Sequence, residues 1–267
     1  YQYLPEMARA NGMNTSLSVG FNYNNVFSNI YQKSRLEIRT SLLNQNSYSF
    51  ISSENTFKKW LGRTLLSTRF FGRIGVHASE NGPAFNSLLN AGGANTEELL
   101  EDEFMRAVSI FPSQLYSASS TNAYHLHMSG GTNLRGYTFR RNIIDGTNNY
   151  QLLGYNSGYS ANFEFFFHHL SPLKFKKIAP FIGFETYLFS DIGQLANTMQ
   201  DFNLSATPLL ADAGIGAAIH IKRWGQFAKA NPLYFRFDMP LYLSHPNQND
   251  QNKNFAFRWL IGVGRSF

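Results

Sequence analysis

Apolar and polar residues alternate along most of this chain. In residues 13–24, MNTSLSVGFNYN, one side carries Met13, Thr15, Leu17, Val19, Phe21 and Tyr23. The other side carries Asn14, Ser16, Ser18, Gly20, Asn22 and Asn24. A period of two is the signature of a β-strand with one apolar and one polar face. The pattern recurs over 34–43, 62–78, 159–169, 178–191, 210–222, 233–244 and 254–267, which predicts eight strands. In the second segment, for example, Leu36, Ile38 and Thr40 oppose Arg35, Glu37 and Arg39. Residues 44–61 are polar and ambiguous and predict no strand.

Strands of soluble proteins usually span about 5–6 residues. These segments are longer, near the roughly 9–11 residues that a tilted strand needs to cross a bilayer. They also carry aromatic residues towards their ends, as membrane strands do. The expected fold is therefore all-β, an antiparallel transmembrane β-barrel. Residues 79–157 interrupt the pattern and read as one long extracellular loop, with a short helix expected at 95–108. A loop of that length inside a compact architecture is usually functional.

Composition fits this reading. Charged residues make up 15% of the chain and aromatic residues 16%, with 25 Phe and 14 Tyr. Soluble domains are nearer a quarter charged. No apolar run is long enough for a membrane helix, and the mean hydropathy of −0.28 is what alternating faces produce on average. The net charge of +6 would suggest nucleic acid in a soluble protein. Here Arg35, Arg39, Arg63, Arg69, Arg73, Arg236 and Arg258 all fall on the polar side, so the charge describes a barrel interior. No nucleic-acid partner is expected. Residues 1–13 lack a basic start followed by an apolar core, so the expected start is a processed end or an internal position.

Enzyme and metal signatures are missing from the pattern. There is no cysteine, which removes disulfide frameworks and thiolate metal sites. His125 and His127 alternate, and His168 and His169 are adjacent, but no third ligand stands at a metal-site spacing. The glycines of 130–136 lack the lysine and hydroxyl residue that end a phosphate loop. Neither an active site nor a metal or cofactor is expected.

Within the long loop lies SGGTNLRGYTFRRN, residues 129–142. GGTNLRGY resembles the Gly-Gly…Arg-Gly-aromatic signature in the sixth extracellular loop of the BamA/TamA/two-partner-secretion outer-membrane assembly superfamily. The order of the flanking segments is similar too: WLGRTLLSTRFFGRIGV before the loop, then ANFEFFFHHLSPL, PFIGFETYLFSDIGQL, ADAGIGAAIHI, PLYFRFDMPLYL and finally FAFRWLIGVGRSF. The resemblance covers effectively the whole chain as the second half of a sixteen-stranded barrel. It implies that the loop folds back into the lumen and that Arg135 pairs with Glu164 and Asp191. A planar guanidinium away from water suits bidentate carboxylates. Gly130, Gly131 and Gly136 would let the backbone turn around it, and Tyr137 would pack on the wall with its hydroxyl free to bond. The last strand, with Trp259, Ile261 and Val263 alternating and a terminal Phe267, resembles the signal by which barrels are recognised for assembly. Gly262 and Gly264 would loosen packing at the closing seam.

The resemblance implies insertion of proteins into the Gram-negative outer membrane, or translocation across it. The implied partners are outer-membrane lipid, unfolded outer-membrane or secreted proteins, and envelope assembly proteins. The alternative is a barrel that anchors an N-terminal phospholipase, phosphatase or peptidase domain. A small closed eight-stranded adhesion or structural barrel is a third possibility. On the first two readings, the residues before Tyr1 would hold the remaining strands and the periplasmic or catalytic domain.

Overall fold

A computed structural model describes residues 16–41, 48–77, 89–94, 125–138, 142–143, 150–151, 155–167, 181–198, 204–222, 233–246 and 253–263. They form β1 (Ser16–Phe27), β2 (Ile30–Ser41), β3 (Tyr48–Leu61), β4 (Thr64–His77), β5 (Leu126–His127), β6 (Asn142–Ile143), β7 (Tyr150–Gln151), β8 (Ser157–Phe166), β9 (Ile182–Thr198), β10 (Leu204–Ala206), β11 (Leu210–Ile221), β12 (Leu233–Leu243) and β13 (Leu260–Val263). One sheet runs β1-β2-β3-β4-β8-β9-β11-β12-β13, nine strands each antiparallel to the next. Short β10 pairs antiparallel with the end of β9, and β5 pairs with the far edge of β13. β6 and β7 form a separate ladder. Among the described residues the sheet is open: β1 and β13 do not pair. No helix among these residues is long and apolar enough to cross a membrane.

The expected alternation shows in the burial of β4, β8, β9 and β12, while β1 is exposed on both faces. Leu36, Ile38, Phe70, Ile74, Leu188 and Ile215 are exposed on one face. Glu37, Arg39, Ser67, Arg69, Asn162, Glu164, Asp191 and Asp238 are buried on the other. Two tight turns set the register. Ser28 and Asn29 both have positive φ (43° and 68°), as a two-residue type I′ hairpin demands. Gly62 opens the β3–β4 turn with φ 64°, the position where a type II′ turn needs glycine. In an antiparallel meander both of these turns lie at one end of the sheet. The long loop after β4 leaves from the other end.

Three expectations need correction. First, residues 44–61 contain β3, so the meander has nine strands and not eight. Its apolar residues are split between faces: Tyr48 and Phe50 are buried on the polar face, while Ile51 is exposed on the apolar one. The period of two is intact but is not a period of hydrophobicity. Tyr48 stacks on Phe50, and the Arg73 guanidinium lies 3.6 Å from the Phe50 ring centroid. Second, among the described residues of the expected 254–267, β13 covers Leu260–Val263, and residues 253–259 approach it as irregular chain with a bridge from Phe255 to Tyr242. Third, Arg63 sits in the β3–β4 turn and not on the polar face. The expected helix at 95–108, together with His168, His169, Gly264 and Phe267, lies outside the described residues.

Candidate functional site

The centre of the polar face is occupied by the loop residues 129–138. Gly130 and Gly131 turn the chain with φ 152° and 50°. Both values lie in the region that side chains avoid. A single 3-10 turn, Arg135–Tyr137, then presents the arginine to the sheet. Gly136 is needed for close approach. A Cβ there would overlap Leu243 Cδ2 and press on the Asp212 side chain.

Arg135 is fully buried, at 0% exposure. Its Nε donates to Asp191 Oδ2 at 2.8 Å and its Nη2 to Asp191 Oδ1 at 2.9 Å, a bidentate pair. Its Nη1 donates to Glu164 Oε1 at 2.7 Å. The structure thus brings Arg135 together with both acids that the resemblance implied for it. The guanidinium carbon also lies 3.9 Å from the Phe189 ring centroid. Burial alone would lower the arginine pKa, but the Asp191 and Glu164 carboxylates outweigh it and hold the group charged, well above its ordinary range.

The site extends further than the sequence suggested. Asp212 accepts the Gly136 backbone N–H at 3.1 Å, and Asp238 Oδ1 stands 4.0 Å from Arg135 Nη1. Tyr187 donates to Asp238. Asn162, directly opposite Asp191 in the β8–β9 ladder, donates to Asp191 Oδ1 and to the Thr132 and Asn133 carbonyls. Its own Oδ1 accepts from Arg69 Nη1 at 3.0 Å. Arg69 also donates to the Gly131 carbonyl at 2.9 Å and to Glu54 Oε1 at 3.0 Å. The loop is therefore held by side chains from β4, β8, β9 and β11, and the chain of contacts runs back to β3.

Parity along each strand places Asp212, Asp238, Asn162 and Arg69 on this face, so that much was readable. Their convergence on one loop turn was not, because it depends on cross-strand register. Apolar contacts complete the seat. Leu134 and Tyr137 pack with Leu89, Phe71, Leu195, Leu210 and Leu243. Burying two such side chains contributes roughly 1.5–3 kcal/mol each. The Tyr137 hydroxyl donates to the Ala211 carbonyl at 3.1 Å and lies 3.0 Å from Ser244 Oγ. Residues 89–94 pack alongside: the Leu134 N–H donates to the Ala91 carbonyl, and Thr138 Oγ1 to the Gly92 carbonyl.

A second group of contacts joins the loop to the last two strands. His127 is buried, and its Nδ1 lies 2.8 Å from Arg236 Nη2. Burial, and then the Arg236 charge, depress the His127 pKa to about 3, so the ring is neutral. Gly262 does not loosen packing as expected. It clears space, since a Cβ there would collide with the Arg236 guanidinium. Trp259 stacks on His125 with ring centroids 3.5 Å apart. Ile261 is exposed on the apolar face, and Val263 is half-buried opposite Phe235. Among the described residues no cluster of His, Asp and Glu is arranged to hold a metal ion.

This arrangement is suited to holding a segment of chain in place. Around the loop, Asp191 and Glu164 are engaged by Arg135, Asp238 by Arg236 and Tyr187, and one oxygen of Asp212 by the Gly136 backbone N–H. No protein-family model matches the chain, and no curated protein matches it.

Proposed function

We propose that this chain is wall and inward-folded loop of a Gram-negative outer-membrane β-barrel of the BamA-like superfamily. It acts in inserting proteins into that membrane or moving them across it. The observation that carries the reading is the Arg135 seat: a Gly-Gly…Arg-Gly-Tyr loop turn docked by bidentate and charge-assisted bonds on acids of the two strands that follow the loop. The other face supports it. Large apolar side chains are exposed there on every strand of the meander from β1 to β13, for instance Val19 at 66% and Ile74 at 68%. Monomeric soluble proteins rarely expose contiguous apolar patches beyond a few hundred Å². Lipid is the solvent that suits such a face. The tight β1–β2 and β3–β4 turns lie at the end opposite the long loop, as short periplasmic turns lie opposite long outer loops in such barrels, although the β8–β9 and β11–β12 connections at that end are longer.

In this reading the apolar face meets outer-membrane lipid. The loop keeps the polar face filled and the strands in register. Unfolded outer-membrane or secreted proteins are the substrates, with envelope assembly proteins as partners. The test is reconstitution of the native, membrane-extracted protein in liposomes, followed by addition of an unfolded outer-membrane barrel protein. The expected result is substrate folding, read by heat-modifiable gel mobility, about tenfold faster than in protein-free liposomes, a difference of roughly 1.4 kcal/mol in barrier. Integration into liposomes without any acceleration would favour the anchor for an enzyme domain. Recovery of the native protein in the aqueous fraction would refute the membrane reading.

A further inference from the structure

The outward face carries a polar island among its apolar residues. Leu36 and Ile38 on β2 and Ile51 on β3 are exposed on that face. Parity puts Gln32, Ser34, Ser53 and Asn55 beside them, each partly exposed. Ser34 and Asn55 are direct partners in the antiparallel β2–β3 ladder. Gln32 Nε2 donates to Ser34 Oγ at 3.1 Å, and Asn55 Nδ2 donates to Ser53 Oγ at 3.1 Å. Both contacts run along one strand, between residues two apart. Among the described residues these side chains make no other hydrogen bond. The Ser34 hydroxyl therefore keeps its proton to donate, and Asn55 Oδ1 keeps its lone pairs.

Apolar side chains surround the island. Ile30 and Leu36 flank it along β2, Phe57 and Ile51 along β3, and Phe70 stands opposite Asn55 on β4. Lys59, exposed on the same face, lies four residues nearer the β3–β4 turn, about 13 Å along the strand from Asn55. A lysine reaches for water at the rim of such a face. Ser34, Ser53 and Asn55 thus lie inside the apolar band and not at its border. In water, unspent hydroxyl and amide groups bond to solvent. In lipid their only partner is another protein, and polar side chains of this kind hold membrane segments together.

The geometry fits one partner in particular. The membrane gives every copy of the chain the same orientation, so a two-fold axis between two copies runs along the membrane normal. A two-fold contact sets the same patch against itself. With that axis between β2 and β3, β2 of each copy lies over β3 of the other. Ser34 and Asn55 are level in the ladder, so the Ser34 hydroxyl of each copy comes up against Asn55 Oδ1 of the other. The unspent donor meets the unspent acceptor twice. A different protein would have to supply both a matching acceptor and a matching donor, whereas a second copy brings them at the required spacing.

We propose that the outward face of β2 and β3 is a self-association surface, through which two copies of this chain pair inside the membrane by reciprocal Ser34–Asn55 hydrogen bonds. The pairing rests on the membrane embedding in the function proposed above, and not on insertion or transport. It needs no open sheet edge, since β2 lies between β1 and β3, and β3 between β2 and β4. Strands before Tyr1 would leave this face as it is.

This chain has no cysteine, so cysteines can be placed one at a time. Two differently tagged forms of the full-length protein, Ser34→Cys and Asn55→Cys, are co-expressed, and the native membranes are oxidised. The expected result is a disulfide-linked pair carrying both tags. Two tagged copies of Ile215→Cys, whose side chain is exposed on the outward face of β11, should give no such pair. In liposomes, Asn55→Leu should self-associate at least about tenfold more weakly than the unaltered protein, or roughly 1.4 kcal/mol, read by energy transfer between labelled copies. Membrane-embedded protein without a mixed-tag product would overturn the proposal. So would equal self-association of Asn55→Leu, or equal cross-linking of Ile215→Cys. A disulfide to a different polypeptide would also overturn it and give the face to another partner. Should Asn55→Leu not fold, cross-linking decides alone. Recovery of the protein in the aqueous fraction would remove both the membrane reading and the pairing. Cross-linked pairs without accelerated substrate folding would remove the insertion activity and leave the pairing standing.

Discussion

The polar face of β1 and β2 and the polar face of β8 and β9 are built from the same kinds of residue but behave differently. On β1 nearly every residue is exposed, whichever way it points. Arg35 on β2 keeps half of its side chain in solvent while bonding to Glu37 at 2.8 Å. On β8 burial alternates strictly from Ser160 to Phe166, and Arg135 against β8 and β9 is wholly buried. The difference is the loop. Where residues 129–138 cover the sheet, ordinary strand polar residues become a desolvated network. Where they do not, β1 and the Arg35 side chain face water, and burial on β2 is confined to its second half, where Glu37 pairs with Arg39. An ion pair in the first setting is worth several times one in the second.

The sharpest break of this contrast is a pair of substitutions. Arg135→Ala leaves Asp191 and Glu164 buried and unpaired, which costs about 3–5 kcal/mol. Arg35→Ala removes a half-exposed charge and should cost less than about 1 kcal/mol. Limited proteolysis within residues 89–138, in detergent, measures both: rapid cutting in the first and an unchanged pattern in the second. Arg135→Lys should not restore resistance, because an ammonium cannot reproduce the two-pronged contact with Asp191. Equal cutting of both alanine variants would mean that loop cover does not set the energetics.

A smaller effect tests how closely the loop is seated. Gly136→Ala would force Leu243 and Asp212 apart, an overpacking cost of about 1–3 kcal/mol. Hydrogen exchange at the Gly136 and Tyr137 amides should rise, with the β1–β2 ladder unaffected. Unchanged exchange at both amides would show that the seat has slack that the burial pattern denies.

The same contrast explains what could be read from sequence. Parity put Glu164 and Asp191 on one face, while the Arg135 turn and its pairing with them came from the resemblance of GGTNLRGY and its flanking segments to the family pattern, since a glycine turn by itself reads as an exposed tip. Only the first is a local signal. β3 was hidden because Tyr48 and Phe50 serve the polar face, stacking against each other and under Arg73, so apolar character no longer marked the outside. The partnership of His127 with Arg236 left no trace, since those residues are 109 positions apart and His127 belongs to a loop without periodicity. Gly262 was readable as a weak point of a strand, but its reason, room for a guanidinium, exists only after β12 and β13 pair.

His127 offers a third test, by pH. Its folded pKa of about 3 lies below the ordinary 6.5, burial being the main cause and the Arg236 charge the next. Asp238 opposes the shift, and Arg135 adds to it. The docked ring stays neutral between those values, while an undocked ring takes up a proton. Docking is therefore unpenalised above pH 6.5 and weakens as pH falls below it, by up to about tenfold per pH unit. Between pH 7 and 5.5, Ile261 amide exchange, corrected for its intrinsic pH dependence, should rise in the unaltered protein. It should stay flat in His127→Gln, whose side chain does not titrate. A matching rise in that variant would assign the effect to other groups.

The smallest expected effect lies at the boundary between the two regions. Arg69 is buried and reaches into the covered network through Asn162 and Gly131, but its ion-pair partner Glu54 keeps about a third of its side chain exposed. Glu54→Gln retains an oxygen to accept from Arg69 Nε and removes only a charge that solvent already screens. The expected cost is under about 1 kcal/mol. Arg69→Met, by contrast, strips the donors from both the Gly131 carbonyl and Asn162 and should cost about 1–3 kcal/mol. Denaturation midpoints of the two variants in detergent, set beside the unaltered protein, order these costs. A Glu54→Gln loss as large as that of Arg69→Met would place the edge of the dry network at β3, one strand further towards β1 than burial does.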